Sequence, residues 1–92
     1  MFFEIKFPKE IAKDIANQEK EKRQHRKMTQ KELSEKAGIS LASFKRFEQT
    51  GEISFVSLIK IAEVLGETEA FKNLFNSKEY QSIQEVIDER NQ

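Results

Sequence analysis

Residues 29–50 read TQKELSEKAGISLASFKRFEQT. Thr29, followed three positions later by Glu32, forms a capping-box pattern, in which the hydroxyl and the carboxylate each bond a backbone amide at a helix start. Gly38 suits the left-handed backbone conformation just past a helix end. Ser40, only two residues further, can cap the start of another helix. The segment therefore predicts two short helices joined by a tight turn.

The two predicted helices, 30–37 and 41–49, carry the residues that such a close pair needs. A small side chain is required where the helices cross, and Ser34 supplies it. The inward positions are apolar at helical spacing; they are Leu33, Ala37, Ile39, Phe44 and Phe47. That spacing assigns both phenylalanines to the core rather than to base stacking. Together these features predict a helix-turn-helix unit.

Three further helices are predicted around this unit. The first spans about 8–26, with Pro8 in its first turn. Its apolar stripe consists of Ile11, Ala12, Ile15 and Ala16. The next begins after Ser54 and ends at Gly66, and its apolar residues at helical spacing are Phe55, Leu58, Ile59, Ala62 and Leu65. A short fifth helix is expected over 68–75, so the fold class is all-α.

The five-helix domain, 8–75, is flanked by two appendages. The first is residues 1–7, predicted to be a short strand-like arm. Residues 2–7 alternate, with the apolar Phe3, Ile5 and Phe7 on one side and the charged Glu4 and Lys6 on the other. Residues 76–92 form a C-terminal extension, in which Ser82 and Glu85 repeat the capping-box pattern at the start of a short helix. A helix this short is not stable alone, so we expect it to pack on the domain or on a second subunit.

The chain of 92 residues has 16 basic and 16 acidic residues, but their distribution is uneven. Residues 1–50 have a net charge of +4, and residues 51–92 have a net charge of −4. The excess is sharpest in residues 20–46, where nine Lys or Arg residues accompany three Glu residues. A basic region on a neutral protein is typical of polyanion binding, because contacts with phosphates are local. A solvated helix face is the alternative explanation of these charges.

Other classes of protein find little support in the sequence. The chain has no cysteine and only one histidine, His25, so no metal or other cofactor is predicted. It has no nucleophile–base pair and no phosphate-binding glycine loop, so we do not expect an enzyme. No apolar run is long enough to span a membrane, and the N-terminus lacks the features of a signal peptide. We therefore expect a cytoplasmic protein.

Residues 23–66, RQHRKMTQKELSEKAGISLASFKRFEQTGEISFVSLIKIAEVLG, resemble the lambda-repressor/Cro-like (XRE-type) helix-turn-helix family of bacterial and phage transcriptional regulators. The resemblance rests on the MTQKELSEKAGIS core, on Glu48 and on the LIKIAEVLG helix. One departure is the segment FEQTGEIS. It has two residues between Glu48 and Gly51, where the E-x-G turn of many members has one. The resemblance implies binding to double-stranded operator DNA, usually as a homodimer, and hence association with the nucleoid. Short members with such extensions include antitoxins, which implies a toxin as a further partner.

The resemblance also implies roles for individual residues. The positions that match DNA base contacts are Leu41, Ala42, Lys45 and Arg46. The positions that match phosphate contacts are Gln30, Ser40 and Ser43. Arg23 and Glu48 match a structural ion pair that recurs in the family. Leu41 has an alternative role as a partly exposed hydrophobic residue without a DNA contact.

Two functions are consistent with these features. The first is a sequence-specific transcriptional regulator, either a repressor or an autoregulating antitoxin, that occupies its operator as a dimer. The second is a protein-interaction adaptor, a coactivator-like bridging factor with the same fold, whose basic face has no DNA role. Salt-dependent binding to duplex DNA distinguishes the two, because phosphate contacts release counterions.

Overall fold

The computed structural model describes residues 6–76, which form five α-helices and no strand. In chain order they are α1 (Pro8–His25), α2 (Gln30–Ala37), α3 (Leu41–Thr50), α4 (Phe55–Val64) and α5 (Glu69–Lys72). The predicted all-α class and the predicted order of helices are confirmed. Most of the predicted arm, residues 1–5, and the predicted C-terminal helix lie outside the described residues. The division into arm, domain and extension therefore stays a prediction.

The turn between α2 and α3 is built by local hydrogen bonds. The Thr29 hydroxyl accepts from the Glu32 amide at 3.0 Å, and the Glu32 carboxylate accepts from the Thr29 amide at 3.2 Å. Gly38 ends α2 with a φ of 70°, a conformation that residues with a Cβ rarely adopt. Ser40 then caps α3 by accepting from the Ser43 amide at 3.1 Å. Each cap joins residues three positions apart, so the local sequence is sufficient to specify this turn.

The core joins α2, α3 and α4. Its largest fully buried apolar side chains are Leu33, Phe44, Phe47 and Ile61. The predicted small residue, Ser34, is buried as well, and its hydroxyl donates to the Lys31 carbonyl at 2.9 Å. Burial of each large apolar side chain contributes about 1.5–3 kcal/mol to stability. Two of these side chains belong to α3, so the core fixes the orientation of that helix.

α1 packs on α3 through small and polar side chains. Ala16 is buried, whereas Ile11 and Ile15 are exposed. The apolar stripe predicted for α1 is therefore only partly buried. The closest approach lies just after α3, where a Cβ added to Gly51 (φ 83°) would lie 2.7 Å from the carbonyl carbon of Ala12. The small side chains of Ala12 and Ala16 therefore face this contact, and the isoleucines lie outside it.

α4 also buries a different set of residues from the predicted one. Ile61 is fully buried although the predicted stripe omits it, and Phe55 is exposed although the stripe includes it. α4 is apolar on more than one side, so its helical periodicity does not define the side that faces the core. Phe55 instead packs edge-to-face against Phe71, with the ring centroids 5.8 Å apart.

α5 is shorter than predicted, covering Glu69–Lys72 instead of 68–75. The side-chain amide of Asn73 donates to the Glu69 carbonyl at 3.1 Å. Phe75, two residues later, has a φ of 64° and is 96% exposed. Asparagine side chains compete with the backbone hydrogen bonds of a helix, which explains why α5 ends here.

Candidate nucleic-acid interface

α3 separates its buried side chains from a row of exposed ones. Phe44, Phe47 and Glu48 are buried. On the other side of the helix, the exposed residues are Ala42, Ser43, Lys45 and Arg46. Leu41 is half-buried, so only part of its side chain is accessible. The four residues for which we predicted base contacts therefore lie on α3. Phe44 and Phe47 anchor this helix in the core.

The exposed start of α3 carries two of the three predicted phosphate-binding residues. The Ser40 hydroxyl accepts from the Ser43 amide at 3.1 Å and donates to the Ser43 hydroxyl at 2.8 Å. Ser40 is therefore a helix cap in the first instance. Because Ser43 accepts in this hydroxyl pair, its own proton is left for another acceptor, and a phosphate oxygen is one such group.

Gln30, the third predicted phosphate-binding residue, is half-buried at the start of α2. Its side-chain amide donates to Glu48 Oε1 at 3.0 Å. This bond uses one amide hydrogen and leaves the second hydrogen and the carbonyl oxygen for other contacts. The backbone amide of Gln30 belongs to the first turn of α2, where amides have no acceptor within the helix.

Arg23 and Glu48 form a buried ion pair between α1 and α3. Arg23 Nε donates to Glu48 Oε2 at 2.8 Å and Arg23 Nη2 donates to Glu48 Oε1 at 3.0 Å. A third donor, Nη1, bonds the Met28 carbonyl at 2.8 Å, which also fixes the chain just before α2. Burial raises the pKa of Glu48, but the hydrogen bonds from Arg23 and its other neighbours outweigh burial and hold that pKa below its ordinary value. Glu48 therefore stays ionised and keeps the pair intact.

Glu19 is a buried acid beside this pair, and the sequence analysis missed it. Its side chain is on the inner side of α1, and neither carboxylate oxygen meets a donor among the described groups. Burial is the largest cause that raises the pKa of Glu19, to about 9. The next causes are a hydrogen bond between the Glu19 and Glu48 side chains and the negative charge of Glu48. Glu19 is thus protonated at neutral pH and can donate that proton to Glu48. The sequence did carry a signal for this contact. Glu19 is four positions before Arg23, so the two side chains lie on the same side of α1.

Lys13 supplies another contact between α1 and α3 that sequence reasoning missed. Its ammonium donates to the carbonyls of Glu48 and Gln49, at 2.8 and 2.7 Å. These carbonyls lie at the C-terminal end of α3, where a helix leaves carbonyls without an internal donor and where a cation is favoured by the helix dipole. Lys13 therefore caps α3 from a neighbouring helix.

Arg46, on the exposed side of α3, also has a partner within the chain. A terminal nitrogen of its guanidinium donates to the carboxylate of Glu52, in the turn that follows α3. The side chain of Arg46 is 68% exposed and that of Glu52 is 53% exposed. The residue best suited to reading a base therefore lies beside a carboxylate, a feature that the sequence analysis did not predict.

The basic region of the sequence is not one continuous cationic surface. Arg26 donates to the Leu65 carbonyl at 2.9 Å, and Lys22 forms an ion pair with Glu67. Both cations thus contact the segment that follows α4. Lys45 and Arg46 lie instead on the exposed side of α3. The part of the basic region that belongs to α1 therefore contributes less to a polyanion-binding surface than its charge count suggests.

The described residues offer no sign of other kinds of site. Within residues 6–76, no group of three or more His, Asp or Glu side chains is placed to hold a metal ion. In the same range, no helix has both the length and the apolar character needed to cross a membrane.

Comparison with known protein families matches residues 20–72, more than half of the chain, to a family described as helix-turn-helix. No curated protein and no solved structure matches the chain. The matched range begins within α1 and ends with α5, so it contains the α2–turn–α3 unit and the helices that support it. The chain therefore belongs to the XRE-type, lambda-repressor-like helix-turn-helix family, whose domain is that of DNA-binding regulators.

Proposed function

We propose that this protein is a sequence-specific transcriptional regulator that occupies operator DNA as a homodimer, as a repressor or as an autoregulating antitoxin. The observation that carries the proposal is the two-sided α3. Phe44 and Phe47 anchor one side in the core, while Lys45 and Arg46 are exposed on the other. A helix presented in this way fits the major groove of B-DNA. Regulation then follows from occupancy of the operator and requires no covalent step.

Base recognition is assigned to the exposed side of α3. Arg46 has enough donors to bind the O6 and N7 atoms of a guanine together. Lys45 can reach either a base edge or a phosphate. Leu41 and Ala42 have no hydrogen-bonding side chain, so their contribution is packing against thymine methyl groups.

Phosphate contacts are assigned to the starts of α2 and α3. Gln30 offers its backbone amide and the free hydrogen of its side-chain amide, and Ser43 offers a hydroxyl proton. Ser40 lies next to Ser43 at the exposed cap. Backbone amides at helix starts favour anions, so these groups position the protein on DNA without reading its sequence.

A homodimer completes the proposal, because one helix in the major groove reads only a few base pairs. Two-fold dimers read two half-sites about 10 bp apart, which is one helical turn. Exposed apolar side chains at the start of α1 support a protein–protein interface; they are Phe7, just before the helix, and Ile11 and Ile15 within it. In an antitoxin, the same kind of surface is available for a toxin.

Selection of bound sequences from a random duplex library tests the proposal. We expect an enriched sequence with two related half-sites about one helical turn apart. Binding to that duplex is expected to weaken steeply with salt, because cations of the protein displace counterions from phosphates. Substitution of Lys60, an exposed cation on α4, by Ala is the matched control, and it should leave the selected sequence unchanged.

A library without enrichment, combined with salt-independent or undetectable binding to duplex DNA, would favour the adaptor function instead. The mass of the protein in solution, measured with and without the selected duplex, tests the dimer separately. A chain that stays monomeric on a palindromic duplex would contradict the dimer but not the DNA-binding function.

A further inference from the structure

Glu52, in the turn after α3, lies next to the surface that we propose to face DNA, although a carboxylate there repels phosphates. It is paired with Arg46, and both side chains are more than half exposed. Exposed ion pairs contribute little to folding stability, because water solvates the separated charges well. The effect of the pair is therefore to be sought in what Arg46 can bind and not in folding.

Backbone contacts hold Glu52 in position. The Thr50 hydroxyl donates to the Arg46 carbonyl at 2.7 Å and accepts from the Glu52 amide at 3.1 Å. Thr50 thus links the backbones of the two paired residues. Gly51, which directly precedes Glu52, lies against the backbone of α1 near Ala12, where a Cβ on residue 51 would not fit. These contacts fix the backbone of the turn, so the side chain of Glu52 starts from a position within reach of the Arg46 guanidinium.

The bonding capacity of the guanidinium decides what this pairing does. An arginine side chain has five N–H donors, and a bidentate contact with guanine uses two of them. Glu52 engages one terminal nitrogen of Arg46, so donors remain for a base edge. A phosphate, by contrast, is an anion that Glu52 repels and with which Glu52 competes for Arg46. The carboxylate therefore penalises a phosphate contact more than a contact with a neutral base.

We propose that Glu52 is a specificity-determining residue, which orients Arg46 toward the base edge and disfavours its contact with phosphates. This inference rests on the proposed function. It assigns a role to the turn that follows α3. The expected consequence is a large ratio between the affinities for the operator and for unrelated DNA.

Glu52→Ala tests the inference, with dissociation constants measured for the selected duplex and for a scrambled duplex of the same length and salt. We expect binding to the scrambled duplex to strengthen by about threefold or more, since freed Arg46 can pair with a phosphate. Binding to the selected duplex should change by less than about twofold, so the ratio falls. The salt slope for scrambled DNA should increase by about one. Glu52→Gln, which keeps an acceptor oxygen but no charge, should give an intermediate ratio.

Glu35→Ala is the matched control, because Glu35 is an exposed carboxylate of α2 without an ion pair among the described residues. It should leave the ratio within about twofold of the wild-type value. In an Arg46→Ala background, Glu52→Ala should no longer change the ratio, since the residue that it orients is gone.

Three results would overturn the inference. One is an unchanged affinity ratio in Glu52→Ala. Another is an equal gain in affinity for both duplexes, which would mean that Glu52 only repels DNA phosphates and does not orient Arg46. The third is an effect of the same size in the Arg46→Ala background. A wild-type protein that binds neither duplex would instead refute the proposed function itself, and with it this role of Glu52.

Discussion

Two arginine–glutamate pairs involve α3, and they lie in different environments. Arg23 and Glu48 are buried where α1 meets α3, joined by hydrogen bonds of 2.8 and 3.0 Å. Arg46 and Glu52 are exposed on the side proposed to enter the major groove. The chemical groups are the same, so the surroundings determine the role. Removal of one partner leaves an unpaired buried charge in the first pair, whereas water replaces the missing partner in the second.

This difference separates stability from recognition within one helix. Glu48 also accepts a hydrogen bond from the Gln30 side chain and lies beside Glu19, so the ion pair belongs to a larger network. Arg23 and Glu48 are buried within the protein and cannot contact DNA. Arg46 has one partner of the same chain and otherwise faces solvent. Substitutions in the first region are therefore expected to change folding, and those in the second to change binding.

The largest expected effect is that of Arg23→Ala on folding. We expect it to lower the free energy of unfolding by about 3–5 kcal/mol, because Glu48 is left buried without its partner. Arg46→Ala, the matched exposed variant, should lower it by no more than about 1 kcal/mol. Urea denaturation at neutral pH, followed by circular dichroism, measures both.

A double-mutant cycle with Glu48→Ala isolates the interaction between Arg23 and Glu48. Zero coupling between them would contradict the role assigned to the buried pair. If Arg23→Ala does not fold, Arg23→Lys keeps the charge and loses only the two-pronged geometry, so the cycle can be built on that variant.

The next effect is the pH dependence due to Glu19. Its pKa is raised from 4.5 to about 9 by burial and by Glu48, so the folded protein holds a proton that the unfolded chain releases. Below pH 4.5 both states bind this proton, and its full contribution to stability is present. That contribution is lost as the pH rises toward the folded-state pKa of about 9. We expect the free energy of unfolding to fall by about 2–4 kcal/mol between pH 6 and pH 9.

Glu19→Gln serves as the control for this titration. Its amide can donate to Glu48 as the protonated acid does, but it does not titrate. Urea denaturation of the variant over the same pH range should therefore show little slope. A slope equal to that of the wild type would assign the pH dependence to another group.

The two regions also differ in how far the sequence predicts them. The turn between α2 and α3 was predictable, since Thr29 and Glu32 bond each other, Gly38 needs only its own backbone freedom, and Ser40 bonds a residue three positions away. Such contacts are encoded in short-range spacing. The α3 surface was predictable in outline for the same reason, because the spacing of Phe44 and Phe47 determines which side is exposed.

Contacts between elements were largely beyond sequence reasoning. Lys13 caps α3 across a separation of 35 residues, and no local pattern indicates which helix end it meets. Ile61 was missed because α4 has apolar residues on several sides. The pairing of Glu52 with Arg46 was not predicted, since it depends on a turn held by Thr50 and Gly51.

Arg46→Ala sharpens the comparison on the side of recognition. It should weaken binding to the selected duplex by about 1–3 kcal/mol and relax the preference at one operator position, because a bidentate guanine contact is lost. Lys60→Ala is the matched control and should change neither. Binding-site selection with each variant, followed by anisotropy titrations, provides the measurement. Uniform weakening across all sequences in Arg46→Ala would place Arg46 on a phosphate instead of a base.

The smallest expected effect concerns Gln30, which connects the two regions. Its side chain bonds Glu48 of the buried network, and its backbone amide lies at the start of α2. Gln30→Ala should weaken binding to all duplexes about equally, by about 1 kcal/mol, because a lost phosphate contact removes affinity without removing base information. The salt slope should stay constant, since the lost group is neutral. Gln30→Glu should weaken binding further, because its carboxylate repels both the phosphate and Glu48. If Gln30→Ala instead altered the preferred base at a single operator position, Gln30 would read a base, and the recognition surface would extend from α3 onto α2.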